Sequence, residues 1–136
     1  MSYGVSSALQ AAVYQQLAAD TALNALVGTA IYDALPAGTL PETYVTLGPE
    51  SVRDKSSKTG HGALHTITVS VVTDSTGFQV AKDVATAVSD ALNDADLTLT
   101  RGRLVYLMFD RATARLEGTG TQRRIDLRFR ARVEDD

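Results

Sequence analysis

The chain has 136 residues, no cysteine and a formal net charge of −3. That length suits one domain spanning residues 1–136, able to bury roughly two-thirds of its unfolded surface without staples. With 44% hydrophobic and 21% charged residues the composition is globular rather than disordered, and the missing cysteines exclude disulfides, thiolate metal sites and cysteine nucleophiles, as suits assembly in a reducing cytoplasm.

The charge is unevenly placed. Residues 1–100 carry four basic and ten acidic side chains, a balance of −6, whereas residues 101–136 carry nine arginines and six acids, a balance of +3. A nucleic-acid binder shows a strongly basic domain, which this is not. A chain with parts of opposite sign can instead meet copies of itself head to tail; the plain alternative is that both parts are solvated faces. Its apolar stretches, such as residues 69–72 and 104–109, are far too short to span a bilayer. Met1 to Val5 has neither a basic patch nor an apolar run, so no signal peptide is expected.

The first segment is patterned as an amphipathic helix. Val5, Leu9, Ala12, Val13 and Leu17 recur at steps of three and four, with Ser6 or Ser7 placed to cap the start. Asp20 is a cap for a short second helical turn over 21–27, and Gly28 is its stop. Residues 30–32 suit a short strand, and 35–41, with Pro36, Gly38 and Pro41, must be a loop. A strand follows over 43–47, limited on its far side by Pro49. Residues 53–62 are polar and glycine-containing, which predicts a long, exposed and mobile hairpin loop. Over 64–73, Ile67, Val69 and Val71 alternate with Thr66, Thr68 and Ser70, the period of a strand with one buried face.

The strongest helical pattern covers 78–95, with Ser75 or Thr76 as N-cap. Gln79, Lys82, Asp83, Thr86, Ser89, Asp90 and Asn93 make a polar stripe, and Val80, Ala81, Val84, Ala85, Val88, Ala91 and Leu92 the buried side. Residues 97–99 suit a strand, followed by a turn around Gly102. In the strand over 104–116 the apolar phase switches near Asp110, which predicts a bulge there. Residues 117–120 form a hairpin turn. The last strand points Ile125, Leu127, Phe129, Ala131 and Val133 inward and Arg124, Asp126, Arg128, Arg130 and Arg132 outward. The order of elements predicts an α+β fold, an antiparallel β-sheet with one long and one N-terminal helix packed on one face.

Little in this pattern can do chemistry. His61 and His65 are four apart and straddle a loop and the start of a strand; at the strand rise that spacing is about 13 Å, too far to share a metal. His61 is expected in solvent and His65 as a satisfied, half-buried side chain. No GxSxG elbow occurs, and Ser56-Ser57 near His61 lies on a flexible loop that cannot hold a triad. The Gly118-Thr119-Gly120 turn feeds a strand rather than a helix, so it is not a phosphate cradle. The acidic pairs Asp94/Asp96 and Asp135/Asp136 sit at an element end and at the terminus, where solvation is the default. No catalytic residue, metal site or cofactor is expected. The outward arginines are the most informative polar feature: Arg128, Arg130 and Arg132 are suited to meet acids of a neighbouring copy, for example on the helix bearing Asp83 and Asp90, because a guanidinium fork matches a carboxylate. Single exposed pairs contribute about 0–1 kcal/mol, so only a repeated set could hold an assembly.

Several stretches, taken in order, resemble one known family. Leu17-Ala18-Ala19-Asp20, Leu23, Leu26-Val27-Gly28 and Ile31-Tyr32-Asp33 match its opening; Pro41 to Gly48 resembles its P-Y-V-x-L-G strand with Glu42-Thr43 inserted. His65 to Val72, then Gly77 and Ala81, resembles its strand-to-helix step, and Gly120-Thr121-Gln122-Arg123-Arg124 leading into Leu127 to Arg132 its last strand. The chain thus resembles the tail-completion (tail-terminator) family of long-tailed phages and gene transfer agents. The resemblance implies a structural ring, commonly a hexamer, at the head-proximal end of the tail, which stops polymerisation of the tube and joins tail to head. The implied partners are further copies of the chain, the tail tube protein and a head-side neck or connector protein, with no membrane and no specific nucleic acid. The implied location is the tail of a virion or virus-like particle made in the bacterial cytoplasm. On that reading Arg124, Asp126, Arg128, Arg130 and Arg132 with Asp83 and Asp90 lie between subunits, and the loop bearing Arg53, Asp54, Lys55, Lys58 and His61 touches tube or neck. The alternatives are a neck adaptor or tube subunit of the same machinery, and, in other classes, a small ligand-binding α+β module or a hydrolase.

Overall fold

The computed structural model describes residues 3–118 and 120–135. Met1, Ser2, Thr119 in the expected hairpin turn and Asp136 of the terminal acidic pair lie outside the described residues. In chain order the elements are α1 (Ser6–Ala19), α2 (Thr21–Val27), β1 (Ile31–Tyr32), β2 (Thr43–Asp54), β3 (His61–Thr73), α3 (Gln79–Leu92), β4 (Arg103–Glu117) and β5 (Gln122–Asp135).

The five strands form one sheet in the order β1-β2-β3-β5-β4. The pairs among β2, β3, β5 and β4 are antiparallel, and the short β1 joins β2 in parallel. The fold is α+β as expected, with that one parallel pair as the departure. At its centre β3 and β5 pair without a break from His61↔Asp135 to Thr73↔Arg123. An unbroken register keeps every alternate residue on the same face, so Ile67, Val69 and Val71 share the helix side with Phe129, Leu127 and Ile125. Against them pack Leu9, Val13 and Leu17 of α1, Leu23 of α2 and Val84, Val88 and Leu92 of α3. Ala81, Ala85, Ala87 and Ala91 bring α3 close to the sheet; Ala87 is buried, whereas Val80, expected inside, is 37% exposed.

Local sequence chemistry accounts for both ends of α2. Asp20 Oδ2 accepts the Leu23 N–H at 2.9 Å, and Gly28, at φ +59°, ends α2 as expected. Neither Ser6 nor Ser7 caps α1: Val5 is the cap residue and Ser6 Oγ donates instead to Glu50 at 2.8 Å. Likewise neither Ser75 nor Thr76 caps α3, which starts after Phe78 without a side-chain cap; the Ser75 N–H donates to Thr73 Oγ1 at 3.1 Å.

Helix α3 stops three residues short of the predicted end. Asn93 and Asp94 leave the helix, Asp94 at φ +61°, and fasten to the outer strand: the Asp94 N–H donates to the Leu107 carbonyl at 2.7 Å and Asn93 Oδ1 accepts the Phe109 N–H at 2.9 Å. An aspartate tolerates that left-handed backbone better than most residues. Residues 97–99 pair with no strand, although Leu97 is buried. Gly102, at φ +69°, permits the entry into β4, because a Cβ there would lie 2.6 Å from the Glu134 carbonyl oxygen and 2.8 Å from Val5 Cγ2.

Two strand expectations are corrected and one holds. Pro49 does not end its strand: β2 runs on to Asp54, with a register shift between Leu47 and Glu50 that places the donor-less proline in a bulge. The segment 53–62 is no long loop, since Arg53 and Asp54 end β2 and His61 and Gly62 begin β3, leaving a tight connection of residues 55–60. In β4 the register shifts between Phe109 and Arg111, where the apolar phase switches. His65 is fully buried rather than half-buried. Its Nδ1 lies 3.0 Å from Glu50 Oε2, and its Nε2 has no partner among the described residues.

Phe129 is fully buried and meets Phe109 edge-on, with ring centroids 5.9 Å apart. Phe129→Ala is expected to cost about 3–5 kcal/mol in a denaturant titration. Phe109→Ala should cost clearly less in the free chain, because Phe109 is 42% exposed.

Candidate assembly surface

The helices cover one face of the sheet, and the other face carries charge. Register puts Arg124, Asp126, Arg128, Arg130 and Arg132 of β5 on this open face, as the alternation predicted. Beside them on β4 stand Arg115, Thr113, Arg111, Met108 and Tyr106, each directly opposite one of those β5 residues.

Asp126 is the hub. Its carboxylate accepts from Ser70 Oγ at 2.6 Å, from Arg124 Nε at 2.9 Å and from Arg115 Nη1. Arg124 Nη2 also donates to Ser70 Oγ at 3.2 Å, and Glu117 accepts from Arg115 at 3.1 Å and lies 3.6 Å from Arg124. Burial alone would push the Asp126 carboxyl up, but the hydrogen bonds from Ser70, Arg124 and Arg115 outweigh it and hold the carboxyl below its ordinary range. Around the hub lies a shallow depression of about 370 Å³ whose lining includes Arg111, Arg115, Arg124, Arg128, Thr68 and Thr113. Further along, Arg130 lies 3.7 Å from Asp110 and Arg132 3.6 Å from Glu134, so both have an acid in their own chain. Among the described residues no acid pairs with Arg111 or Arg128.

The other expected site residues lie elsewhere. Asp83 and Asp90 are exposed on α3, across the sheet from the arginines, and Asp83 accepts from Gln79 Nε2 at 2.9 Å. The structure therefore brings no member of the arginine row onto these two acids within one chain. Arg53, Asp54, Lys55, Lys58 and His61 gather at the β2–β3 hairpin. This hairpin is knit by Lys55 N–H to the Gly62 carbonyl at 2.8 Å, Ser57 N–H to the Gly60 carbonyl at 2.9 Å and Ser56 Oγ to Asp54 at 2.6 Å. Arg132 also reaches the Lys55 carbonyl at 3.4 Å, which ties the hairpin to the arginine face. Asp135, expected in solvent, instead takes two hydrogen bonds from Arg101, at 3.1 and 2.8 Å, and these hold its carboxyl low.

Sequence reasoning missed Arg111 and Arg115 as members of the charged face. Their alternation with Ala112 and Ala114 was legible, but only the pairing of β4 with β5 sets them beside Arg128 and Arg124. It also missed the apolar margin of β4, where Val105, Met108, Phe109 and Leu116 are 42–53% exposed.

One constellation has the residue types of a hydrolase. Ser6 Oγ donates to Glu50, whose other oxygen faces His65. The acid, not the imidazole, sits in the middle, so the histidine cannot take the serine proton as a triad base does. The group instead ties α1 to β2 and β3. Among the described residues, no three His, Cys, Asp or Glu side chains group to hold a metal, and no helix is long and apolar enough to cross a membrane.

A carboxylate with a depressed pKa contributes stability above its unfolded value, ordinarily about 3.9, and that contribution is lost as the pH falls through the folded value. Asp126→Asn should therefore be less stable than the wild type at neutral pH, with the gap narrowing below about pH 4. Denaturant titrations at neutral pH and in acid check this, and a gap independent of pH would mean that the charge of Asp126 is irrelevant.

The sequence family described as tail completion protein gp17 matches residues 11–134. Among solved structures, a chain from "Virion of native gene transfer agent (GTA) particle" is 64% identical, with a TM-score of 0.94 over 98% of this chain and 99% of that one. No curated protein sequence matches. The chain belongs to the tail completion protein gp17 family and is a structural protein of a tail.

Proposed function

We propose that the chain is a tail terminator, a single domain whose copies close into a ring at the head-proximal end of a long phage-type tail. The ring stops polymerisation of the tube protein and offers its other side to a head-side neck or connector protein. The observation that carries this reading is the near end-to-end likeness to a chain of a gene transfer agent virion, together with the family match over 11–134. The charge distribution supports it physically. Acids on the helix layer and arginines on the open sheet face are unlike surfaces, and a contact between unlike surfaces is heterologous, giving a ring when its rotation closes.

In this reading Arg124, Asp126, Arg128, Arg130 and Arg132 of one copy face the side of the next that bears Asp83 and Asp90. The hairpin with Arg53, Asp54, Lys55, Lys58 and His61 reaches the tube or neck. The chain works in the tail of a virion or virus-like particle and catalyses no reaction. A ring that matches the tube on one side only ends its growth, whereas a tube subunit stacks on itself without limit.

Mixing the chain with its cognate tube protein should give shorter tubes with a ring at one end, seen by negative-stain electron microscopy. Long tubes made of this chain alone would instead identify a tube subunit, and tubes of unchanged length with bare ends would remove the terminator role. Lys55→Glu with Lys58→Glu should weaken capping of tube ends while leaving the Tm unchanged, since both lysines are exposed.

A further inference from the structure

The open-face arginines are not equivalent. Arg115 and Arg124 are held by Asp126 and Glu117, Arg130 by Asp110 and Arg132 by Glu134. Arg111 and Arg128 have no acid among the described residues and stand directly opposite each other across the β4–β5 ladder. Like charges in that position repel, and a carboxylate lying over both guanidiniums relieves the repulsion. The place for it exists: the two side chains line the same depression, with the hydroxyls of Thr68 and Thr113 beside them.

The acids are unequal as well. Asp90, Asp94 and Asp96 are exposed, and no hydrogen bond or ion pair engages their carboxylates among the described residues. Glu42 and Asp74 share that condition but lie beside one another elsewhere, where the Asp74 N–H meets the Glu42 carbonyl. The segment 90–96 does not hang free, because Asn93 and Asp94 fasten it to the edge of β4. Its carboxylates are thus carried on a backbone held in place before any contact, which lowers the ordering cost of binding.

We propose that Arg111 and Arg128 receive the acidic segment Asp90, Asp94 and Asp96 of a second copy of this chain. This inference rests on the ring reading above and narrows it from the whole arginine row to one pair of unpaired guanidiniums, and from α3 to its C-terminal end. The arginines lie on the open face, and the acids on the helix side at the β4 edge. One molecule therefore cannot satisfy both within itself, and head-to-tail contact satisfies every copy in a closed ring.

Charge reversal tests this with the full chain and its tube protein, reading ring assembly by mass photometry and capping by electron microscopy. Arg111→Glu with Arg128→Glu, and separately Asp90→Lys with Asp94→Lys and Asp96→Lys, should each weaken ring assembly by about a hundredfold, roughly tenfold for each pair turned from attraction to repulsion. Thermal melts should match the wild type for the arginine variant and fall slightly for the aspartate variant, because lysine tolerates the left-handed backbone of Asp94 less well; a cooperative melt in both shows that they fold. An equal mixture of the two variants should assemble, because an alternating ring restores every contact, and a chain carrying all five reversals should assemble by itself. If the wild type forms rings and the reversals leave them intact, this inference fails while the terminator reading stands. If the arginine reversals block capping but the aspartate reversals are silent, the occupant is not a second copy and the inference again fails. If the wild type forms no ring even on tubes, both readings fall together. Because the chain contains no cysteine, Arg128→Cys with Asp94→Cys supplies an independent check. A short bismaleimide should convert assembled rings into covalent oligomers, and monomers alone after crosslinking would overturn the contact.

Discussion

The unbroken antiparallel pairing of β3 with β5 is the constraint on which the rest of the molecule depends. Both strands alternate apolar and polar residues, and their register runs from His61↔Asp135 to Thr73↔Arg123 without a bulge. A slip of one residue would turn Phe129, Leu127 and Ile125 to solvent and drive Arg128 and Arg130 into the core, so the pairing admits one solution. From that central pair the two sides of the protein diverge. The helix side is a layer of Leu, Val and Ala packed against α1, α2 and α3, and the open side is a field of guanidiniums and hydroxyls.

The outer strands modify this plan at their irregularities. The bulge in β2 accommodates Pro49 within a sheet, and the shift in β4 at Phe109/Arg111 changes which residues of that strand face the core. Before the shift Met108 shares the open face with Arg130; after it Arg111 stands against Arg128. The same strand carries an exposed apolar margin, and its edge is partly occupied by Asn93 and Asp94, so free backbone pairing is reduced where the strand is most apolar. Much of the polar network serves stability rather than chemistry. Asp126 gathers Ser70, Arg115 and Arg124, and Glu50 gathers Ser6 and His65. Each is a knot that joins neighbouring elements.

A structural role in a tail agrees with this economy of chemistry. The proposed ring needs surfaces that match a neighbour on two different sides, and a chain with acids on its helix layer and arginines on its sheet offers such a pair. Arginine is well suited to the task, because its planar fork recognises a carboxylate geometrically even where solvent weakens the Coulomb attraction.

Much of this was legible in the residues themselves. The period-2 alternation of β3 and β5, the 3.6-residue stripe of α3, the Asp20 cap, the Gly28 stop and the phase switch near Asp110 each declare local structure through side-chain size and polarity. Local pattern misjudged Ser6, Ser75 and Pro49: Ser6 and Pro49 answer to distant partners, and Ser75 to its near neighbour Thr73, whose hydroxyl takes its N–H. Ser6 turns to Glu50, and Pro49 fits a bulge that exists only because β2 is paired with β3. The candidate surface divides in the same way: the outward row on β5 follows from sequence alternation alone. Which of its arginines are already neutralised, and that Arg111 joins Arg128, was decided only when the sheet brought together strands distant in sequence, since charge pairing depends on distance in space and a one-dimensional pattern carries no distances across strands.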